Sequence, residues 1–225
     1  MLEIQNVKKL YTSTTGVKEI SLLCKEGETV AFIGPNGVGK STILKIVSGI
    51  LKADEGTVLL NGKDTAWFGT RQNIGYMPEH LNVGKKISAK ELLYLISDYK
   101  YKGKYKEKID ESIKNYALEN QCNKPFCKLS MGSKKKVGSI IAFMGNPELI
   151  ILDEPTNGVD TAGIICMKRD ITEAKNRGCS VIVSSHILDF IGSIADRSIF
   201  LKNGQIEHIV KGKENLEEIY TTLYL

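Results

Sequence analysis

The chain has 225 residues, with 31 Lys and Arg against 26 Asp and Glu and a formal net charge of +5. Its hydrophobic content of 42% and charged content of 25% are ordinary for a globular protein, and its length allows one α/β core with an inserted lobe. No stretch reaches the ~18 to 20 uninterrupted apolar residues of a membrane span, and residues 1–5 begin no secretory signal, so neither segment is predicted.

The first element with a clear chemical signal is a strand, a glycine-rich loop and a helix in succession. Residues 29–33 are typical of a buried strand, and apolar residues recur at helical spacing from Ile43 to Leu51. Between them, residues 34–42 match the phosphate-binding P-loop pattern Gly-x4-Gly-Lys-Ser. In such a loop the glycines let backbone amides converge on phosphate oxygens, the lysine reaches the β- and γ-phosphates, and the serine binds Mg²⁺. The predicted nucleotide contacts are Gly34, Asn36, Gly37, Gly39, Lys40, Ser41 and Thr42.

Two turn signals follow strand-like runs. Leu59-Leu60 precedes Asn61-Gly62, and residues 199–201 precede Asn203-Gly204. Because Asn-Gly pairs favour tight two-residue turns, both segments are predicted to be β-hairpins.

Residues 85–145 have a helical pattern. Ser88 and Glu91 form a capping box ahead of apolar residues at 92, 93, 95 and 96, and helical spacing continues at 109, 113, 116 and 117. We therefore predict a helical subdomain of about residues 80–145 within a single domain of residues 1–225.

Lysines cluster at positions 100, 102, 104, 106 and 108 and again at 134–136. A solvated helical face is the interpretation we favour. Contact with anionic lipid beside a membrane protein and contact with RNA or ribosomes are the two alternatives, because a basic face binds phosphate groups from any source.

A second chemical signal is the run Leu-Ile-Ile-Leu-Asp-Glu at residues 149–154. Four apolar residues predict a buried strand, and in open α/β sheets the carboxyl end of such a strand faces the ligand crevice. Asp153 is therefore predicted to hold Mg²⁺ through water, and Glu154 to orient or deprotonate the attacking water. The alternative is a pair of solvated acids that caps the next segment.

From Tyr11 to His186 the chain resembles the ATP-binding cassette (ABC) ATPases, the motor subunits of ABC transporters, because its motifs fall in that family's order. The resemblance implies an α/β P-loop NTPase core with a small antiparallel β subdomain and an inserted α-helical subdomain. It implies that Tyr11 stacks on adenine, whereas structural packing is the alternative. Residues 74–79 resemble the family's Q-loop, with Glu79 where glutamine is usual, and a carboxylate oxygen there can still ligate Mg²⁺.

Residues 129–133, Leu-Ser-Met-Gly-Ser, resemble the family signature Leu-Ser-Gly-Gly-Gln. Met131 and Ser133 depart from that pattern. The resemblance implies that Ser130 and Gly132 let a helix N-terminus approach a γ-phosphate. The alternative is a serine N-cap before a basic helix.

Two later segments also resemble family motifs. Residues 157–160 resemble the D-loop, and the strand-like run 181–183 with His186 resembles the last core strand and the switch histidine. The resemblance implies that His186 contacts the γ-phosphate, although a lone histidine after a strand is otherwise structural.

The resemblance further implies ATP and Mg²⁺ as cofactors and a specific assembly. In this family the signature of one cassette closes over ATP held by the P-loop of another, so we expect a second ABC ATPase subunit in a homodimer or heterodimer. We also expect an integral membrane permease and no nucleic acid as partners. The five cysteines form no Cys-x2-Cys pair and indicate reduced thiols, so the expected location is cytoplasmic and peripheral at the inner face of the cell membrane.

We predict an ATP-hydrolysing motor subunit that drives a separate permease and resembles exporters of drugs, peptides or lipids. The alternative is a soluble ABC ATPase that acts on ribosomes, nucleic acid or cofactor assembly. Transport is favoured because soluble members usually carry two cassettes or long coiled coils, and neither is visible in this sequence.

Overall fold

The computed structural model describes residues 1–13, 15–84, 86–212 and 214–225. In these ranges the strands are β1 (Leu2–Leu10), β2 (Gly16–Cys24), β3 (Thr29–Ile33), β4 (Glu55–Leu60), β5 (Lys63–Asp64), β6 (Ile74–Met77), β7 (Leu149–Asp153), β8 (Ser180–Ser184), β9 (Arg197–Lys202) and β10 (Gln205–Lys211). The helices are α1 (Lys40–Val47), α2 (Phe68–Arg71), α3 (Ala89–Tyr101), α4 (Lys106–Asn115), α5 (Met131–Phe143), α6 (Thr161–Asn176), α7 (Leu188–Ile194) and α8 (Leu216–Tyr224), with a 3₁₀ helix at Phe126–Lys128. Within the described ranges, no helix combines the length and the apolar character needed to cross a bilayer.

The larger sheet brings the predicted buried strands together. Its six strands run in the order β10-β9-β3-β8-β7-β6, and the five from β9 to β6 are parallel. Every residue of β3, β7 and β8 is buried, as expected when both faces of a parallel sheet are covered. The carboxyl ends of these three strands meet at one edge of the sheet, where Asp153 pairs in register with Ser184.

A smaller antiparallel sheet encloses helix α1 against the main sheet. Its four strands run in the order β2-β1-β4-β5. The apolar side chains of α1 lie in one core with residues of both sheets, and these side chains are Ile43, Leu44, Ile46 and Val47. The predicted helical spacing to Leu51 is wrong beyond Val47, because α1 ends there, Gly49 takes a left-handed φ of 72° and Ile50 is exposed.

Both Asn-Gly turns close hairpins, as predicted. Asn61-Gly62 joins β4 to β5, and Asn203-Gly204 joins β9 to β10. The asparagines have φ of 49° and 53° and the glycines have φ of 76° and 78°. These are the left-handed conformations that a two-residue type I′ turn requires.

Helices α3, α4 and α5 form a separate apolar core. The predicted capping box is present, since Ser88 Oγ accepts the Glu91 N–H at 3.2 Å and Glu91 Oε2 accepts the Ser88 N–H at 2.8 Å. Several predicted apolar positions are buried in this core, namely Leu92, Leu93, Ile109, Ile113 and Tyr116. Leu95 is exposed instead, and Ala117 lies beyond the end of α4. The parallel core, the antiparallel β subdomain and these helices confirm the predicted fold class.

The two lysine clusters lie in different environments. The lysines at positions 102, 104, 106 and 108 are exposed, as expected of a solvated face. Lys135 and Lys136 on α5 are only 4% and 5% exposed, so the solvated-face interpretation is wrong for these two residues. Helix α5 packs on strands β6 and β7 as well as on α3, which explains why polar side chains on it are covered.

Candidate functional site

The glycine-rich loop between β3 and α1 takes the shape of a phosphate cradle. Gly34, Gly37 and Gly39 have φ of 154°, 81° and 114°. A Cβ atom on Gly34 would lie 2.9 Å from the carbonyl oxygen of Leu201, so the position excludes a side chain. Among the residues that the structure describes, no side chain caps the N-terminus of α1, so its first-turn amides are available to an anion.

Lys40 begins helix α1 and reaches back across the loop. It is buried, and its Nζ donates hydrogen bonds to the carbonyl oxygens of Gly34 at 2.7 Å and Pro35 at 3.3 Å. The same Nζ lies 3.5 Å from Glu154 Oε1. A compact ammonium charge is thereby held where the loop amides converge, as the recognition of a polyphosphate requires.

Two hydroxyls converge on Asp153 at the end of β7. Ser41 Oγ donates to Asp153 Oδ1 at 3.1 Å, and Ser184 Oγ donates to the same oxygen at 2.6 Å. Asp153 Oδ2 is buried and has no hydrogen-bond partner among the described residues. Leaving such an oxygen unsatisfied costs roughly 1–3 kcal/mol, and a metal-held water would satisfy it.

This donor set fits Mg²⁺. The described residues contain no group of three or more His, Cys, Asp or Glu side chains that could hold a metal by themselves. Mg²⁺ does not need one, because it commonly takes one or two protein oxygens and fills its other positions with water and phosphate. Ser41 and Asp153 supply those oxygens beside the phosphate loop.

Glu154 combines a strained backbone with a buried carboxylate. Its φ of 46° is rare for a residue with a side chain and costs roughly 1–3 kcal/mol, so neighbouring contacts must hold it. The Glu154 N–H donates to Ser184 Oγ at 3.0 Å and to the Ser184 carbonyl at 3.1 Å. The Asp153 carbonyl accepts from Lys135 Nζ at 3.1 Å. On the carboxylate, Oε2 lies 2.9 Å from His186 Nδ1.

Ser184 and Lys135 are the contacts that the sequence analysis missed. A hydroxyl at the carboxyl end of a strand was a usable signal for Ser184, but only the order of strands shows that this strand neighbours β7. Lys135 stands in a run of three lysines, and nothing in that run marks the middle one as buried.

The start of α5 packs against the segment that follows β7. Ser130 Oγ accepts the Ser133 N–H at 3.2 Å, so the N-cap interpretation of Ser130 is confirmed. A Cβ atom on Gly132 would lie 2.1 Å from the carbonyl oxygen of Gly158, so only glycine permits this approach. An N-cap contact leaves other first-turn amides of α5 able to face a phosphate.

Asp160 fixes the segment at 157–160 to two helices. Its Oδ1 accepts the Gly163 N–H at 2.8 Å, and its Oδ2 lies 2.8 Å from Lys136 Nζ. The hydrogen bond from Lys136, followed by that from the Gly163 amide, lowers the pKa of Asp160. The signature-like start of α5 and the D-loop-like segment are therefore held as one unit.

The remaining predicted contacts lie around this centre. Tyr11 follows β1 and is 58% exposed. Asn36 is exposed on the glycine-rich loop, and Thr42 is half-buried on α1. Glu79 follows β6 and lines, with Lys135, a cavity of about 280 Å³. Among the predicted residues, the contacts at the centre join Ser41 to Asp153, Lys40 to Glu154 and His186 to Glu154.

Burial is the main cause of the pKa shifts of two groups at this edge of the sheet, and nearby carboxylates also act on both. Burial, followed by the charges of Asp153 and Glu79, raises the pKa of Tyr76 well above its ordinary value. Burial lowers the pKa of Lys135. Three carboxylates oppose that shift: Asp153, Glu79 and Glu154. This concentration of carboxylates is one that a divalent cation would neutralise.

Comparisons with known proteins agree with this geometry. The family model described as ABC transporter matches residues 17–157. The lantibiotic transport ATP-binding protein SrtF of Streptococcus pyogenes is 34% identical over 227 residues, which cover 100% of this chain and 98% of SrtF. The SkfA peptide export ATP-binding protein SkfE of Bacillus subtilis (strain 168) is 30% identical over 208 residues, which cover 92% of this chain and 87% of SkfE.

A solved structure of the ATP-binding cassette MJ0796, a dimer in a post-hydrolysis state bound to ADP and Pi, superposes with a TM-score of 0.85. Its sequence is 27% identical, and the match covers 96% of this chain and 100% of that one. The chain therefore belongs to the ABC transporter family, in which it is an ATP-binding and ATP-hydrolysing subunit.

Proposed function

We propose that this protein is the motor subunit of an exporter, peripheral at the inner face of the cell membrane, where Mg²⁺-dependent ATP hydrolysis drives a separate permease. The observation that supports this most directly is the buried Glu154 carboxylate, which lies 3.5 Å from Lys40 and 2.9 Å from His186. The relatives named for lantibiotic transport and peptide export support a peptide cargo within the wider class of drugs, peptides and lipids.

In the proposed mechanism, the residues at the sheet edge divide the work of hydrolysis. Lys40 and the loop amides hold the β- and γ-phosphates. Ser41 and Asp153 would hold Mg²⁺, which neutralises phosphate charge when bound. Glu154 accepts a proton from the attacking water. His186, in contact with Glu154, faces the γ-phosphate.

Two further residues contribute at the rim. Tyr11 is exposed, as a residue that stacks on adenine must be. Glu79, which lines a cavity together with Lys135, would supply a further oxygen to Mg²⁺. We assign these roles within one ABC ATPase domain of residues 1–225, whose helical subdomain spans about residues 80–145.

A second cassette completes each site in this proposal. Ser130 and Gly132, at the start of α5, would face the γ-phosphate held by the partner's loop. A Glu154→Gln chain should therefore sediment as a dimer with Mg-ATP, because the hydrolysis that reopens the dimer is blocked. Adding Lys40→Ala should return it to monomer. Sedimentation of Glu154→Gln as monomer only, at high concentration and with its membrane partner present, would contradict the closed dimer.

An apolar groove between α2 and α3 offers a surface for the permease. The groove has a volume of about 830 Å³, and Phe68, Leu95 and Tyr99 are exposed along it. Arg71 and Lys100 line the same groove. Clustered large apolar side chains mark a protein contact, and the two cations favour an acidic partner. We assign the groove to a short permease helix that carries apolar and acidic side chains.

Co-purification from native membranes tests both the partner and the groove. The wild-type chain should bring down a polytopic membrane protein, identified by mass spectrometry, and Leu95→Ala with Tyr99→Ala should lose it. Ile165→Ala, an exposed apolar residue on α6, is the matched control and should retain it. If the double variant still brings down the membrane protein, the groove is not the permease contact. Sedimentation of the wild-type chain with ribosomes instead of membranes would exclude the transport assignment.

A further inference from the structure

The peptide bond between Asp153 and Glu154 is held from both sides. Its N–H donates to Ser184 Oγ at 3.0 Å, and its carbonyl oxygen accepts from Lys135 Nζ at 3.1 Å. The peptide that these two contacts hold leads directly into Glu154, whose backbone is left-handed at φ 46°. Such a conformation persists only when its surroundings fix it.

Lys135 reaches this peptide from a different part of the fold. It lies on α5, which begins within the signature-like segment, and it is 4% exposed. The helix lies close to the main sheet, because a Cβ atom on Gly75 of β6 would come within 1.8 Å of the carbonyl oxygen of Ala142. This close approach brings the lysine side chain to the carboxyl end of β7, the next strand.

A lysine that serves solubility or a surface ion pair is exposed, whereas Lys135 is buried, so its burial needs another explanation. A buried ammonium loses its hydration and needs compensating groups. Those groups are the Asp153 carbonyl, which it contacts directly, and the carboxylates of Asp153, Glu79 and Glu154, whose charges act on it. All of them belong to the hydrolytic centre or to the loop beside it.

We propose that Lys135 is a positioning residue for ATP hydrolysis: it holds the Asp153 carbonyl and thereby keeps the Glu154 carboxylate aligned on the attacking water. The inference rests on the proposed role of Glu154 as the base. Lys135 itself touches neither nucleotide nor water in this account. Its loss frees the peptide to rotate, and Glu154 then spends less time in the reactive orientation.

The test compares kcat and ATP affinity of the purified full chain and its variants. Lys135→Met should lower kcat about tenfold, the effect of losing one charged hydrogen bond, while the Kd for ATP stays within about twofold. Lys135→Arg, which keeps a charged donor, should restore most of the loss. Lys134→Met, the adjacent half-buried lysine, is the matched control and should behave as wild type.

Three results would overturn the proposal: an unchanged kcat in Lys135→Met, a parallel loss of ATP affinity, or no rescue by arginine. Thermal melting establishes that each variant is folded. Should Lys135→Met fail to fold, Lys135→Gln replaces it. Glutamine keeps a hydrogen-bond donor, but it has no charge and its side chain is shorter, so the same loss of kcat is expected.

A double variant separates this inference from the role of Glu154. If Lys135 acts through Glu154, Lys135→Met should not lower the residual turnover of Glu154→Gln any further, whereas a full second loss would overturn the inference. Wild-type turnover in Glu154→Gln alone would instead overturn the assignment of the base. The two failures are thus distinguishable.

Discussion

The hydroxyl of Ser41 donates a hydrogen bond of 3.1 Å to Asp153 Oδ1 across 112 residues of sequence. The contact joins the first turn of α1 to the end of β7, although β8 lies between β3 and β7 in the sheet. Ser184 at the end of β8 donates to the same oxygen, so Asp153 Oδ1 is held by one hydroxyl from α1 and one from β8. The second oxygen, Oδ2, has no partner among the described residues and can face a cation. A cation at that second oxygen would lie beside the phosphate loop.

Removal of the loop lysine should weaken nucleotide binding. Lys40→Ala is expected to raise the Kd for ATP about 10- to 100-fold, the equivalent of a charged hydrogen bond of roughly 1.5–3 kcal/mol. Lys45→Ala, on the exposed side of the same helix, is the control and should bind as wild type. Titration with a fluorescent ATP analogue measures both, and an unchanged Kd in Lys40→Ala would remove Lys40 from the cradle.

Tyr11→Ala should weaken ATP binding about 2- to 10-fold, because an aromatic stack is worth roughly 0.5–1.5 kcal/mol. Tyr11→Phe keeps the ring and should bind normally. Since Tyr11 is exposed, the melting temperature should not change. A lower melting temperature with an unchanged Kd would instead support the structural role that the sequence left as the alternative.

Gly132→Ala should destabilise the protein even though alanine is the better helix former. Its Cβ would lie 2.1 Å from the Gly158 carbonyl, and relieving such an overlap typically costs roughly 1–3 kcal/mol. A Cβ on Gly84 would meet nothing within 4 Å, so Gly84→Ala is the control. Urea unfolding compares the two, and a stabilised Gly132→Ala chain would show that α5 and the 157–160 segment do not approach this closely.

The pair Tyr116 and Asp170 predicts a pH dependence of stability. Tyr116 Oη donates to Asp170 Oδ2 at 2.7 Å, and burial raises the pKa of Asp170 despite this hydrogen bond. The folded state therefore holds the Asp170 proton more tightly than the unfolded chain does. The resulting stabilisation is present below the ordinary pKa of aspartate and is lost as the pH rises through the folded value.

Asp170→Asn keeps an acceptor for Tyr116 without a half-buried charge. It should be more stable than wild type at pH 7, and the difference should shrink below about pH 4, where the wild-type carboxyl is also neutral. Thermal melting at both values of pH measures this. Asp189→Asn, an exposed carboxylate on α7, should show no such trend. A less stable Asp170→Asn chain at pH 7 would contradict the direction of the shift.

Local patterns predict the strands of this fold well, but not their neighbours. The apolar run before Asp153 is enough to predict a buried strand with acids at its carboxyl end, because a strand covered on both faces leaves a continuous apolar run in the sequence. The contact with Ser184 depends on the order of strands, which is set by long-range packing. Sequence spacing therefore identifies Asp153 as a site residue and misses the hydroxyl that fixes it.

Burial of single polar residues is the other limit of the sequence. Lys135 lies in a run that reads as a solvated face, yet its helix is covered on several sides, so composition alone predicts the wrong environment. For Ile50 the error is the opposite one, because an apolar side chain expected on the helix is exposed. The left-handed Gly49 follows the early end of α1 and turns Ile50 toward solvent. The burial of Lys135 depends on what covers its helix and leaves no local pattern, whereas Gly49 is a helix-stop signal that the prediction did not use.

The central claim is that Glu154 activates the attacking water, and turnover of Mg-ATP by Glu154→Gln tests it most directly. At saturating ATP, kcat should fall about 10²- to 10⁴-fold while the Kd for ATP stays within about twofold of wild type. Glu111→Gln, an exposed carboxylate on α4, should turn over ATP at the wild-type rate. Near-normal kcat in Glu154→Gln would contradict the account.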